Sequence, residues 1–172
     1  MPTHAEKRHV PHSPQEMFAL VADIEKYPEF LPWCVGTRIR SNDGVVVLAD
    51  MVIGYKMFRE KFSSEVRLSE PSRIDVTYMD GPFKYLNNHW IFLHEPDGTC
   101  TVDFYVDFEF RSKILQKMIG PVFNESNKYL DELNEITFLS FTNKIRNNPK
   151  NVISAGVNAI SQINTIKKYL SE

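Results

Sequence analysis

The 172-residue sequence predicts one α+β domain in which a curved antiparallel sheet wraps around a long C-terminal helix. Three observations carry that expectation. Period-two alternation between residues 34 and 110 is broken at short intervals by turn residues, which leaves no room for crossover helices between strands. A capped amphipathic segment comes before it, and helical spacing of apolar residues returns after Phe110. Twelve Phe, seven Tyr and two Trp are more rings than a small core requires. They suit either a Phe-rich packed core or the lining of a cavity for an apolar guest.

Taken in order, residues 2–10 mix polar and apolar side chains and predict a short first strand closed by Pro11. Ser13-Pro14-Gln15-Glu16 is a capping box with proline at the first helical position. Met17, Phe18, Leu20, Val21 and Ile24 follow at helical spacing, so a helix is expected to end near Tyr27-Pro28. Residues 29–33 then form a turn or a short second helix. Turn signals at Asn42-Asp43-Gly44, Gly54, Glu70-Pro71-Ser72, Asp80-Gly81-Pro82 and Pro96-Asp97-Gly98 divide the next stretch into about six strands. The clearest places Val102, Phe104, Val106, Phe108 and Phe110 on one face and Asp103, Tyr105, Asp107 and Glu109 on the other. Helical spacing of Ile114, Leu115, Met118, Ile119, Val122, Phe123, Tyr129, Leu130, Leu133 and Ile136 then predicts the long helix, kinked at Gly120-Pro121. Strand, two short helices, six strands and a long helix make the helix-grip arrangement. Residues 1–146 are assigned to this domain. Residues 147–172 form a C-terminal extension, expected to be helical from its Ile and Val spacing, whose role the sequence leaves open.

Net charge is −2, from 20 basic and 22 acidic residues interspersed along the chain, so phosphate backbones are not expected as partners. Cys34 and Cys100 lack paired spacing, and His4, His9, His12, His89 and His94 do not form a zinc pattern, so neither metal nor cofactor is expected. Nowhere do about 18 apolar residues run together, which predicts a soluble, cytoplasmic protein. There is no Gly-x-Ser-x-Gly, phosphate-cradling loop, His-Glu-x-x-His or dinucleotide fingerprint. No catalytic residue is assigned, and a non-enzymatic role is expected.

Strand phase nominates the lining. Over residues 58–68, Phe58, Glu60, Phe62, Ser64, Val66 and Leu68 share one face, while Arg59, Lys61, Ser63, Glu65 and Arg67 share the other. Glu60 is thus expected to point inward. A carboxylate among rings costs several kcal/mol unless it is paired, hydrogen-bonded or neutralised. Either it reaches water or a basic partner near a strand end, or it anchors the polar head of a ligand. Over residues 85–92, Leu86, Asn88, Trp90 and Phe92 share the inner face. Asn88 could hydrogen-bond a neighbouring strand or a ligand carbonyl. Phe104 and Phe108 from the last strand, with Met118, Phe123 and Leu130 from the helix, complete the phase-based candidates. The ring-rich loop between Pro28 and Pro32 could gate a cavity, enter a membrane surface, or staple the short helices to the sheet.

Four motifs then carry a resemblance: Tyr27-Pro28-Glu29-Phe30-Leu31-Pro32-Trp33-Cys34, Phe58-Arg59-Glu60-Lys61-Phe62, Gly81-Pro82-Phe83-Lys84-Tyr85-Leu86-Asn87-Asn88-His89-Trp90 and Val106-Asp107-Phe108-Glu109-Phe110. In this order they resemble the coenzyme Q-binding protein family of the START-like, polyketide cyclase/dehydrase-like superfamily, whose bacterial members are often named ribosome association toxins. The resemblance extends to about residue 136 and implies a hydrophobic tunnel under the long helix. It further implies that ubiquinone or a related isoprenoid quinone is bound there and delivered to respiratory enzymes without chemical change. Transient contact with respiratory complexes or a membrane surface would follow, with a location at the periphery of the inner membrane. The matching positions include the Pro32-Trp33 loop, Glu60, Phe83, Leu86 and Trp90. The sequence departs from the family after Thr137, where an amphipathic ending with Phe, Ala and Arg is replaced by an Asn-rich one. Two rivals stand beside this reading. One is a protein that binds a ribosomal subunit and blocks subunit association. The other is an aromatase/cyclase-like enzyme with Glu60 as acid or base, which lacks a second titratable group beside it.

Overall fold

The computed structural model describes residues 3–31, 34–55, 58–115 and 117. Seven strands, β1 (Thr3–Val10), β2 (Cys34–Asn42), β3 (Val46–Tyr55), β4 (Phe58–Ser69), β5 (Arg73–Asp80), β6 (Phe83–His94) and β7 (Cys100–Phe110), form one antiparallel sheet. Its order is β1-β7-β6-β5-β4-β3-β2, so β2 to β7 run as a meander and the first strand returns beside the last. This is the expected strand count between residues 34 and 110. Asn42 and Asp43 build the first turn with their side chains: Asn42 Oδ1 accepts the Gly44 N–H at 2.8 Å, and Asp43 Oδ1 accepts the N–H groups of Val45 and Val46 at 2.9 and 2.7 Å. Gly54, expected to mark a turn, lies instead within β3 opposite Arg59. A single glycine weakens a strand without ending it when both neighbours are paired.

The helical layer begins with α1 (Pro14–Ala22). Ser13 Oγ accepts the Glu16 N–H at 3.2 Å, and a Glu16 carboxylate oxygen accepts the Ser13 N–H at 2.9 Å, the reciprocal box the sequence predicts. α1 ends earlier than its apolar spacing suggests, because Asp23 leaves helical geometry (φ −82°, ψ 66°). A 3-10 turn, Ile24–Lys26, and the four-residue α2 (Tyr27–Phe30) follow. Pro28 sits in the first turn of α2, where its missing N–H is not needed. The buried Tyr27 hydroxyl donates to the Val21 carbonyl and ties the two helices together.

Both short helices pack on one face of the sheet, here called inner. Met17, Phe18 and Val21 of α1 join Val10, Ile74, Trp90, Phe92 and Val102 in the larger core, with the Phe18 and Phe92 rings edge to face at 6.0 Å. Each buried side chain of this size contributes about 1.5–3 kcal/mol. A second cluster, Phe83, Phe108, Phe110 and Leu115, occupies the far end of the same face. Phe83 is its hub, stacked on Phe110 at 4.8 Å and meeting Phe62, Tyr78 and Phe108 edge to face at 5.8, 5.5 and 5.7 Å. Helical backbone resumes at Lys113 and carries Leu115 into this cluster, while Ile114, expected on the apolar stripe, is 69% exposed. The rest of the long helix, its Gly120-Pro121 kink and residues 147–172 lie outside the described residues.

Candidate functional site

Register settles which side chains share the inner face. Glu60 lies opposite Ile53, Phe62 opposite Met51, Leu86 opposite Phe108, Asn88 opposite Val106 and Trp90 opposite Phe104. The phase assignment of these residues therefore holds. Between the α1 core and the Phe83 cluster, Ile53, Glu60, Phe62, Tyr78, Leu86, Asn88 and Val106 are only half-buried and form an apolar floor with three polar interruptions.

The three polar groups differ in what they have left to offer. The Asn88 amide nitrogen donates to the Tyr105 carbonyl at 3.0 Å, and its oxygen accepts the Trp90 indole N–H at 3.1 Å. The neighbouring-strand alternative for Asn88 is thus realised, with one amide proton unspent. Glu60 makes no hydrogen bond or ion pair among the described residues. Tyr78, which the sequence reading passed over, accepts the Phe83 N–H on its hydroxyl oxygen at 3.2 Å, and its proton finds no acceptor among the described residues. Alternation of Ile74, Val76 and Tyr78 along β5 was the available signal. Gly81 makes this geometry possible: at φ +136° it brings its backbone against β4, where a Cβ would lie 2.7 Å from the Lys61 carbonyl oxygen and 2.8 Å from Phe62 Cβ.

The remaining candidates divide. Trp90 and Phe104, rings 4.4 Å apart, belong to the core around α1, and Phe83 and Phe108 to the second cluster; all four are buried and support the floor from its ends. Phe62 and Leu86 present surface to it. Trp33, Met118, Phe123 and Leu130 lie outside the described residues, as does the Phe58 side chain. Burial pushes the thiols of Cys34 and Cys100 up to about 11, as expected of packed rather than reactive cysteines. No group of three or more His, Cys, Asp or Glu is placed to hold a metal among the described residues, and no described helix is long and apolar enough to cross a membrane.

The outer face holds what a linear reading of charge missed. Asp50 is buried there, accepting the Ser63 hydroxyl at 2.6 Å and lying 3.2 Å from Lys61 Nζ and 3.4 Å from Arg40 Nε. The Ser63 hydrogen bond, aided by these two cations, holds its carboxyl below the ordinary value. Exposed Arg38 is its register partner on β2, and exposed Arg59 lies two positions before Lys61 on β4. Asp103, Asp107 and Glu109 gather instead on β7. Asp103 and Glu109 there pair with Lys7 and Lys84.

Residues 10–130 match the family described as polyketide cyclase / dehydrase and lipid transport. Among similar proteins, the Rickettsia prowazekii ribosome association toxin RatA is 38% identical over 118 residues, covering 66% of this chain and 80% of that protein. The mitochondrial coenzyme Q-binding protein COQ10 of Drosophila melanogaster is 32% identical over 124 residues, covering 70% of this chain and 51% of that one. The solution structure of the 18 kDa protein CC1736 from Caulobacter crescentus aligns with a TM-score of 0.66 at 33% identity, over 85% of this chain and 97% of that one.

Proposed function

The chain belongs to the polyketide cyclase/dehydrase and lipid transport family, and from that premise we propose that it binds ubiquinone or a related isoprenoid quinone on the inner face of the sheet and delivers it to respiratory-chain enzymes without altering it. The carrying observation is the half-buried floor of Ile53, Phe62, Leu86 and Val106, apolar enough for an isoprenoid tail and interrupted by Glu60, Tyr78 and Asn88 at positions suited to a polar head. The likeness to a protein named for coenzyme Q binding supports this choice of ligand. Trp33, Phe58, Met118, Phe123 and Leu130 are proposed as further ligand-binding residues. Organic extraction of purified protein, followed by mass spectrometry and ultraviolet spectra before and after borohydride reduction, tests the reading. Near-stoichiometric quinone is expected; an empty protein that also fails to take up added quinone would sink it.

A second reading has its own observation. Exposed Arg40 and Lys61 pair with the buried Asp50 on the outer face, with exposed Arg38 opposite it on β2 and exposed Arg59 further along β4, a local cationic surface in a chain of net charge −2. Together with the likeness to a ribosome association toxin, it favours binding to a ribosomal subunit in a way that blocks subunit association. Co-sedimentation with isolated subunits, lost in an Arg38→Glu/Arg59→Glu variant, is the expected result; equal co-sedimentation of the variant would remove this surface from consideration.

A further inference from the structure

Resting on the quinone reading above, we infer that the inner face discriminates the redox state of its ligand and holds the reduced quinol more tightly than the oxidised quinone. The basis is the unequal hydrogen-bonding capacity of the two polar groups flanking Phe62. Glu60 stands two residues before Phe62 on β4, on the same face. Tyr78 reaches the other side of the same ring cluster, since both Tyr78 and Phe62 meet the Phe83 ring edge to face. Gly81 holds that cluster together by packing its backbone on Phe62.

A carboxylate only accepts hydrogen bonds, and a quinone carbonyl only accepts them too, so Glu60 and a quinone oxygen placed together repel. A quinol hydroxyl donates, and a bond to a charged acceptor in a half-dry cleft is the strong kind. Tyr78 does not discriminate. Its oxygen is already engaged by the Phe83 N–H, so its remaining capacity is to donate. Either a quinone carbonyl or a quinol oxygen can receive that proton. The quinol satisfies both protein groups and the quinone only Tyr78. Asn88 does not offset this: its spare amide proton can serve either form, and the lone pair its oxygen keeps beside the Trp90 bond can receive only a quinol proton.

The test is anaerobic equilibrium binding, at neutral pH, of a short-chain ubiquinone and of the same compound reduced to the quinol, to full-length wild-type protein and to Glu60→Gln and Tyr78→Phe. Wild type should bind the quinol roughly ten-fold more tightly, the usual size of one hydrogen bond to a charged group. Glu60→Gln, whose amide can donate as well as accept, should erase or reverse that preference. Tyr78→Phe should weaken both forms by similar factors and leave their ratio intact. Equal affinity of wild type for the two forms, or a preference that survives Glu60→Gln, would overturn the inference while leaving the ligand class standing. Binding of neither form would remove the ligand class as well.

Discussion

The indole N–H of Trp90 donates to the side-chain oxygen of Asn88, two residues earlier on the same strand, at 3.1 Å. The Asn88 amide nitrogen in turn donates to the Tyr105 carbonyl at 3.0 Å, so one asparagine satisfies a core indole on β6 and a carbonyl on β7. Replacing it with leucine strips a partner from a ring that is only 8% exposed. Asn88→Leu should lose about 1–3 kcal/mol, read as a lower urea midpoint, since buried polar groups left without partners carry that penalty. Asn88→Asp keeps the acceptor for Trp90 but turns a carboxylate oxygen on the Tyr105 carbonyl, so it should be destabilising as well. An Asn88→Leu protein as stable as wild type would show that the pair does not hold the strands together.

Gly81 fixes the place where the two halves of the floor meet. Its φ of +136° is one that side-chain-bearing residues rarely adopt, and an added Cβ would fall 2.7 Å from the Lys61 carbonyl oxygen. Gly81→Ala should therefore lose more than about 1 kcal/mol, the opposite sign to a glycine replacement at a compatible position. Because the intruding methyl also meets Phe62, quinone affinity should fall in whatever fraction remains folded. Thermal denaturation and ligand titration of the same preparation read both effects.

Asp50 gives a prediction in pH. Its carboxyl is held below the ordinary value of 3.8, chiefly by the Ser63 hydroxyl and further by Lys61 and Arg40. A group with a depressed folded pKa contributes stability that is fully present above its unfolded value and lost as pH falls through the folded one. Wild type should therefore exceed Asp50→Asn in stability at neutral pH, and the gap should close as pH drops below about 3.8. Urea unfolding of both proteins along a pH series measures this. A gap that stays constant with pH would mean that the charge of Asp50 is not what stabilises β2, β3 and β4 there.

How far the sequence revealed this arrangement depends on the range of the interactions involved. Which face Glu60, Phe62 and Leu86 occupy was readable, because a strand's period of two assigns faces without knowledge of its neighbours. The Ser13–Glu16 box was readable for the same reason, since all its partners lie within three residues. The cationic surface was not, because Arg40 and Lys61 meet around Asp50 only through the pairing of β2, β3 and β4. Nor was the engagement of Tyr78, which needs the Gly81 turn to bring the Phe83 N–H back to it. The early end of α1 at Asp23 is a local departure that apolar spacing alone does not report, since Ile24 continues the stripe in the 3-10 turn.

The placement of Trp90 changes which substitution can test the ligand site. On phase alone Leu86 and Trp90 are equivalent inner-face residues of β6, four apart on one strand. The helix α1 breaks that equivalence by packing at the Trp90 end, where Phe92, Val102 and Phe104 complete a closed core, while Leu86 stays half-buried at the open part of the floor. Trp90→Ala should lose about 3–5 kcal/mol, as large-to-small changes in cores do, and any loss of ligand would follow from unfolding. Leu86→Glu places a charge where water can still reach it and where an isoprenoid tail would lie. It should retain most of the wild-type stability and lose quinone binding by at least about ten-fold, one unfavourable polar contact against the tail. Denaturation midpoints and quinone titrations of the two variants separate the roles. A stable Leu86→Glu protein with full quinone affinity would move the ligand off this part of the sheet.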